Sequence, residues 1–325
     1  MKKTDEINRA EIDLDEIKLT ADKMKLVIDE LKKVVNDNQI CENELMKNHT
    51  TFRIGGCADI MIFPNTEKEI IEIIELAKKH EIQYTVVGNG SNILVTDKGI
   101  RGIVIKIADN FSKSEIKDNI AYAESGIRLT ALSRKIMESE LSGFEFASGI
   151  PGTVGGGVFM NAGAYDSEMK NIVKKVRVID KSGKIKEIAR DDMEFGYRKS
   201  IFMKKDYIIL SVWFELEPGK KEEIKSKTDD FTNRRTTKQP ISEYSAGSTF
   251  KRPEGNFAGR LIEESGLRGY STGDAKVSEK HCGFVINKGN STYKEMIDFI
   301  EEVKSKVYQN TGIKLEEEIK IIGEK

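Results

Sequence analysis

Apolar residues recur at helical intervals at the start of the chain. Residues 21–35, ADKMKLVIDELKKVV, put Met24, Val27, Ile28, Leu31, Val34 and Val35 on one stripe, which predicts an amphipathic helix ahead of the main body. NTEKEIIEIIELAKKH repeats that spacing and opens with Thr66 and Glu69 at the separation of a capping box. The period then changes. IQYTVVG, NILVT and GIVIKIA are short β-rich runs separated by glycine turns, so a helix is followed by three strands. Residues 127–141 return to a helical period and stop before Gly143. NIVKKVRVIDKSGKIKEIAR reads as a hairpin turning at Ser182-Gly183, and DYIILSVWFELEP as a long strand that ends at Pro218-Gly219, the best domain boundary. Residues 220–240 are dense in charge and predict a solvated helix ending at Pro240. A clear amphipathic helix covers 292–309, with Tyr293, Met296, Ile297, Ile300, Val303 and Val307 on one face and Gly312 as its stop. LEEEIKIIG, residues 315–323, alternates Leu315, Glu317, Ile319 and Ile321 against Glu316, Glu318 and Lys320, the pattern of a strand with a polar, solvated face.

One stretch follows neither period. SGIPGTVGGGVFMNAGAYDSE, residues 148–168, has glycine at six of its first sixteen positions, yet a flexible linker would not carry Ile150, Val154, Val158, Phe159 and Met160 between them. Glycine lets main-chain amides approach a ligand closely, so one reading is a loop wrapped on a bulky phosphorylated molecule. The other is a tight loop between packed elements. VVGNGSN, residues 86–92, is a strand running into a glycine turn and then into another strand. A doubly wound nucleotide fold needs a helix after those glycines, and NILVT is β-like. An amide nest for phosphate and a plain hairpin turn both fit.

Composition narrows the field. The length of 325 residues suits roughly two or three domains. A net charge of −1 gives no basic footprint for nucleic acid. No apolar run approaches the ~20 residues of a membrane span, and MKKTDEINRAEIDLDE is too charged for a signal peptide. Cys41, Cys57 and Cys282 are odd in number and far apart, which points to reduced thiols, and with only three histidines no metal site is expected.

NHTTFRIGG, VVGNGSN, SGIPGTVGGGVFMNAGAYD, FGYRKSIF, RTTKQP, SAGSTFKRP, AGRLIEESGLRG, VSEKHCGFVIN and LEEEIKIIG occur in this order across roughly residues 43–323. Together they closely resemble the UDP-N-acetylenolpyruvoylglucosamine reductase family, flavoenzymes of bacterial cell-wall precursor synthesis, in its shorter (type II) subclass. The resemblance implies an α+β fold. A helical extension at 1–42 would precede an FAD domain of the vanillyl-alcohol-oxidase type, in subdomains 43–117 and 118–218, and an α+β substrate domain at 219–325. It implies that Gly88, Asn89, Gly90, Ser91 and Asn92 face Gly149, Ile150, Gly152, Thr153 and Gly156 across the FAD phosphates. Asn161 and Ala162 would lie near the isoalloxazine, and Arg53 would close over the cofactor.

NADPH would reduce FAD and leave, and the UDP-enolpyruvyl sugar would then take the hydride in the same site. By the same resemblance Arg198 is the cation that stabilises the substrate carboxylate, Ser248 the proton donor and Glu318 the catalytic glutamate, chosen over Glu316 and Glu317 by the pattern L-E-x-E-[IV]. Lys238, Arg235 and Arg252 would serve the sugar nucleotide. Arg252 stands where some members carry asparagine, and a tyrosine-bearing substrate loop is missing. Small molecules are the implied partners, with no nucleic acid or membrane, for a monomer in the cytoplasm. An oxidase or dehydrogenase of the same flavin fold acting on another substrate is the alternative, and it should lack the Arg198, Ser248 and Glu318 set.

Overall fold

The computed structural model describes residues 23–325; MKKTDEINRAEIDLDE and the first two positions of the predicted N-terminal helix lie outside the described residues. That helix is observed over 23–31. Val27 and Leu31, together with Val35 just beyond it, are buried against Ile70, Ile73, Ile74 and Ala77 of the helix Glu67–Lys79, so two amphipathic stripes bury one another. The predicted capping box at Thr66 forms by half. Thr66 Oγ1 accepts from the Glu69 amide, while the Glu69 carboxylate turns to the Asn65 amide (2.7 Å) and the Gln39 side chain (2.8 Å).

The first sheet has the order Ile40–Leu45, Cys57–Ile62, Ile100–Lys106, Tyr84–Val87. Ile100–Lys106 lies parallel to both of its neighbours and is covered on both faces, hence its near-continuous apolar run. The second sheet is five-stranded and antiparallel, in the order Ile185–Ala189, Val173–Ile179, Ile208–Glu215, Ile120–Glu124, Ser114–Lys117. The predicted hairpin supplies its first two strands, with Gly183 at φ +86° in the turn. The helix Leu129–Glu138 covers one face and is shorter than predicted, because Arg128 is drawn into a bridge with Thr153 and Leu141–Ser142 pairs with Glu217–Pro218.

The charge-dense helix forms over Lys221–Lys238, with Ile224 as its one buried residue. It lies on Leu129–Glu138 and the turn Glu145–Ala147, and its Phe231 packs on the core of the second sheet. Beyond it, Ala258–Glu264, Tyr293–Thr311 and a three-stranded sheet enclose a third core that also takes in Phe52, Ile54 and Leu94 from the first part. Tyr293–Thr311 has the full capping box at Thr292 and Glu295 and ends at Gly312, φ +71°.

LEEEIKIIG departs from its pattern. Only Lys320–Ile322 is a strand, parallel to Ile93–Val95, and Glu318 is buried along with Leu315 and Ile319. Among the described residues no helix is long and apolar enough to cross a membrane, and no three potential metal ligands cluster.

Leu31 has no exposed surface, so Leu31→Ala should lower unfolding free energy by about 3 kcal/mol, measured by urea denaturation. None of Gly88–Asn92 belongs to the core that Leu31 joins, so bound flavin per protein should stay unchanged.

Candidate active site

Two cavities meet at one wall. The larger, about 660 Å³, runs between Gly88–Asn92 on one side and Ile150–Gly157 on the other. The smaller, about 380 Å³, is lined by Tyr197, Arg252, Phe257, Lys280 and their neighbours in the C-terminal third. Arg198, Ser248 and Glu318 line both.

The glycine stretch is not a loop throughout. Val154–Phe159 form a short helix, capped by Thr153 Oγ1 accepting from the Gly156 amide at 3.3 Å. Its other leading amides are also spent: Val154 donates to Ile127 O, Gly155 to Ser125 O and Gly157 to Thr153 O, each at 2.8 Å. The three consecutive glycines do different things. A Cβ on Gly155 would lie 2.8 Å from Ser125 Cβ and one on Gly157 3.0 Å from Leu129 Cδ1, so Gly155 lets this helix pack at the end of Ile120–Glu124 and Gly157 lets it pack against the helix Leu129–Glu138. A Cβ on Gly156 would meet only Thr153 Oγ1, at 3.5 Å, and would otherwise stand in open space on the cavity wall.

The cavity suits a dinucleotide. The backbone N–H groups from Gly88 to Asn92 donate to no other group among the described residues, a run of free donors matched to phosphate oxygens. Asn89 Nδ2 donates to Pro151 O (2.5 Å) and ties the two glycine segments together. Ser125 Oγ and Gln239 Oε1, both on this wall, are buried without a partner. Arg235 and Lys320 add cations to the lining. Arg235 has no carboxylate partner among the described residues, and burial pulls its guanidinium below the usual arginine range.

At the shared wall, Arg198 Nε donates to Glu318 Oε1 (2.6 Å), and its Nη2 donates to Gly163 O at 3.4 Å. Arg198 sits at the tip of a tight turn closed by Gly196 and Lys199, at φ +51°. Tyr197, beside it, donates its hydroxyl to Glu318 Oε2 (3.1 Å) and accepts the Arg252 amide (3.1 Å). Burial, and then the charge of Glu318, raise the Tyr197 pKa, so the hydroxyl keeps its proton and remains a donor at neutral pH. Glu318 N–H donates to Thr249 O (2.8 Å), which seats the glutamate beside the segment bearing Ser248. Glu316 and Glu317 are occupied elsewhere, by Lys251 at 2.9 Å and Lys304 at 2.6 Å.

The other expected residues divide between the cavity walls and positions off them. Asn161 is fully buried: its amide donates to Glu168 (2.8 Å) and Gly196 O (3.0 Å), and its oxygen accepts the Lys170 amide (2.9 Å), so it braces the turn of Arg198. Ala162 is on the wall. Gly149 lies against Arg235, where a Cβ would come 2.8 Å from Cδ. Arg53 is exposed, its guanidinium 5.8 Å from the Tyr244 ring centre. Lys238 is exposed and lines neither cavity, while Arg252 lines the smaller one, 4.5 Å over the Phe257 ring. Tyr197, Gln239, Lys320 and Ser125 were not anticipated. Only Tyr197 carried a local signal, its place beside Arg198 in YRKS.

Residues 58–189 match an FAD binding domain, and residues 239–322 match the UDP-N-acetylenolpyruvoylglucosamine reductase C-terminal domain. Over 282 residues the chain is 55% identical to the UDP-N-acetylenolpyruvoylglucosamine reductase of Clostridioides difficile (strain 630), an overlap of 87% of this chain and 93% of that one. The chain belongs to the UDP-N-acetylenolpyruvoylglucosamine reductase family. The reductase of Alkaliphilus oremlandii is 51% identical with the same coverage. The crystal structure of the Thermus caldophilus enzyme superposes with a TM-score of 0.75 at 34% identity, covering 86% of this chain and 97% of that one. The fold is thus the expected α+β class with a flavin domain of the vanillyl-alcohol-oxidase type, in a family of flavin-dependent oxidoreductases.

The two roles of the glycines separate by substitution. Gly156→Ala should fold, with a helix gain of up to about 1 kcal/mol, yet lose FAD affinity because its methyl projects into the cavity. Gly155→Ala should instead lower the melting temperature, because its methyl meets Ser125. Thermal melts of both proteins, with flavin absorbance per protein, check this.

Proposed function

We propose that this chain reduces the enolpyruvyl ether of UDP-N-acetylglucosamine to UDP-N-acetylmuramate in peptidoglycan precursor synthesis, with NADPH as reductant through FAD. The observation that carries the reading is the wall of Arg198, Ser248 and Glu318 between a cavity suited to a dinucleotide and a second, cation-lined cavity.

FAD, when bound, would supply the hydride chemistry that links NADPH to the terminal carbon of the substrate double bond. The chain's own residues do the rest. Hydride addition pushes charge onto the substrate carboxylate, and Arg198 stands ready to stabilise it. Glu318 fixes the Arg198 guanidinium through the 2.6 Å contact at Nε, and Tyr197 fixes Glu318 in turn. Ser248 then gives a proton to the carbon bearing the ether oxygen. A hydroxyl is a weak acid in water, so this step depends on the organised surroundings of the shared wall.

Gly88–Asn92, Gly152, Thr153, Gly156 and Ala162 hold the cofactor in this reading, and Arg252 with Lys280 faces the sugar nucleotide. We assign residues 43–117 and 118–218 to the cofactor, 219–325 to the substrate and 1–42 to a helical extension. The enzyme then works as a cytoplasmic monomer on small molecules, without nucleic acid or membrane partners. A flavin oxidase of the same fold acting on another substrate would have no use for this donor, cation and carboxylate set.

The two half-reactions test the assignment. Ser248→Ala should keep FAD and bleach normally with NADPH, because hydride transfer to flavin takes no proton from this serine. Re-oxidation by the UDP-enolpyruvyl sugar should slow by a factor on the order of 10²–10⁴. Stopped-flow flavin absorbance, run on each half separately, reads both. Equal slowing of the two halves, or none in the second, removes Ser248 from this role.

A further inference from the structure

A polar cluster that belongs to neither cavity lies under the Gly88–Asn92 loop. It joins Glu44 of Ile40–Leu45, His49 of the turn Met46–His49 and Lys106 at the end of Ile100–Lys106. His49 Nδ1 is 2.8 Å from Lys106 Nζ, and Nε2 is 2.9 Å from Glu44 Oε1. An ammonium can only donate. Nδ1 therefore accepts, and the ring proton sits on Nε2 and is given to Glu44. The geometry allows one state of the ring: neutral, in a single tautomer. Lys106 is half-buried and has no carboxylate within ion-pair distance among the described residues, so His49 is its partner.

His49 is also the floor of the loop above it. Gly90 is at φ +65°, and a Cβ there would come 2.1 Å from His49 O and 2.9 Å from Thr50 Cα. The Thr51 amide donates to Gly90 O at 3.2 Å. On the other side, Lys106 is in register with Val87, the residue before Gly88, and the Ile107 amide donates to Val87 O at 2.9 Å. The imidazole thus links the two segments between which the free amides of Gly88–Asn92 are hung.

We propose that neutral His49, held between Lys106 and Glu44, is a positioning residue that sets the Gly88–Asn92 amides for the pyrophosphate of the cofactor, and that protonating it loosens the cofactor. The inference rests on the FAD reading of the larger cavity and is independent of which substrate the enzyme reduces.

Protonation places an N–H at Nδ1 against the Lys106 ammonium, and the 2.8 Å contact cannot survive two donors of like charge. The groups facing the ring divide. Glu44 favours the imidazolium; burial, Lys106 and Arg53 oppose it, with burial the largest influence, so His49 titrates below the ordinary histidine range. Asp109 and Arg128 act on Lys106 with opposite signs, and its burial lowers the ammonium pKa. The direction follows. With the bound state needing neutral His49, affinity is full at neutral pH and falls as pH drops through the lowered His49 range, which lies under the ordinary histidine value of about 6.5.

Flavin released from diluted holoenzyme, read as free-flavin fluorescence, gives the dissociation constant across pH. Wild type should bind FAD fully near pH 7.5 and more weakly in acid, the loss growing by up to about tenfold for each pH unit below the lowered His49 range, the slope one linked proton gives. In His49→Gln the uncharged amide can still accept from Lys106 and donate to Glu44, so it should bind as wild type does at neutral pH and lose little in acid. His49→Leu leaves Lys106 without its acceptor and should bind weakly at both. A pH-independent wild type overturns the proposal, as does a Gln variant that loses flavin in acid as steeply as wild type, the result general acid unfolding would give. A Leu variant that binds normally also overturns it.

Discussion

The candidate active site depends on one ion pair formed between residues 120 positions apart, Arg198 and Glu318. Both side chains are largely out of water, at 22% and 10% exposure, so neither charge is tolerable without the other. The surrounding structure is arranged to deliver them. Glu318 is carried in by a short run of chain stitched on both sides: Lys251 N–H to Glu316 O, Glu318 N–H to Thr249 O and Lys320 N–H to Asn92 O. Arg198 is carried in on a turn whose left-handed backbone costs about 1 kcal/mol for a non-glycine residue, a cost met by Asn161 bracing Gly196 and by the Glu318 contact itself. Because Lys320–Ile322 continues as a strand beside Ile93–Val95, the same pairing that places Glu318 also ties the C-terminal third to the first part of the chain.

The two readings of the glycine-rich stretch turn out to hold at different residues. Gly155 and Gly157 are glycine because protein packs against them, and Gly156 is glycine on a wall left open. The short helix spends its leading amides on Ile127, Ser125 and Thr153, so the amides left free on this cavity are those of Gly88–Asn92 across it. A helix this poor in propensity survives because Thr153 caps it and because Val154 and Val158 are buried in the core of the second sheet.

Periodicity and turn chemistry determined a good part of this protein. The helices at Glu67–Lys79 and Tyr293–Thr311, the hairpin turning at Gly183 and the run of strands without a helix after VVGNGSN were all legible, because each is decided by neighbours a few residues away. The order of its motifs carried the family, and Arg198, Ser248 and Glu318, expected through it, come together on one wall shared by two cavities. Tertiary structure alone decided the rest. Alternation in LEEEIKIIG sends Glu318 to solvent, and burial against Arg198 overrides it. Asn161, expected at the cofactor, is consumed in bracing a turn that lies 35 residues away. Lys221–Lys238 shows no apolar stripe, so where it docks is settled by Phe231 and Ile224 meeting surfaces contributed by distant segments. The cluster of Glu44, His49 and Lys106 is built from three separate elements. Local pattern reports which face of an element is apolar; which charged groups meet once those faces are buried depends on contacts between segments far apart in the chain.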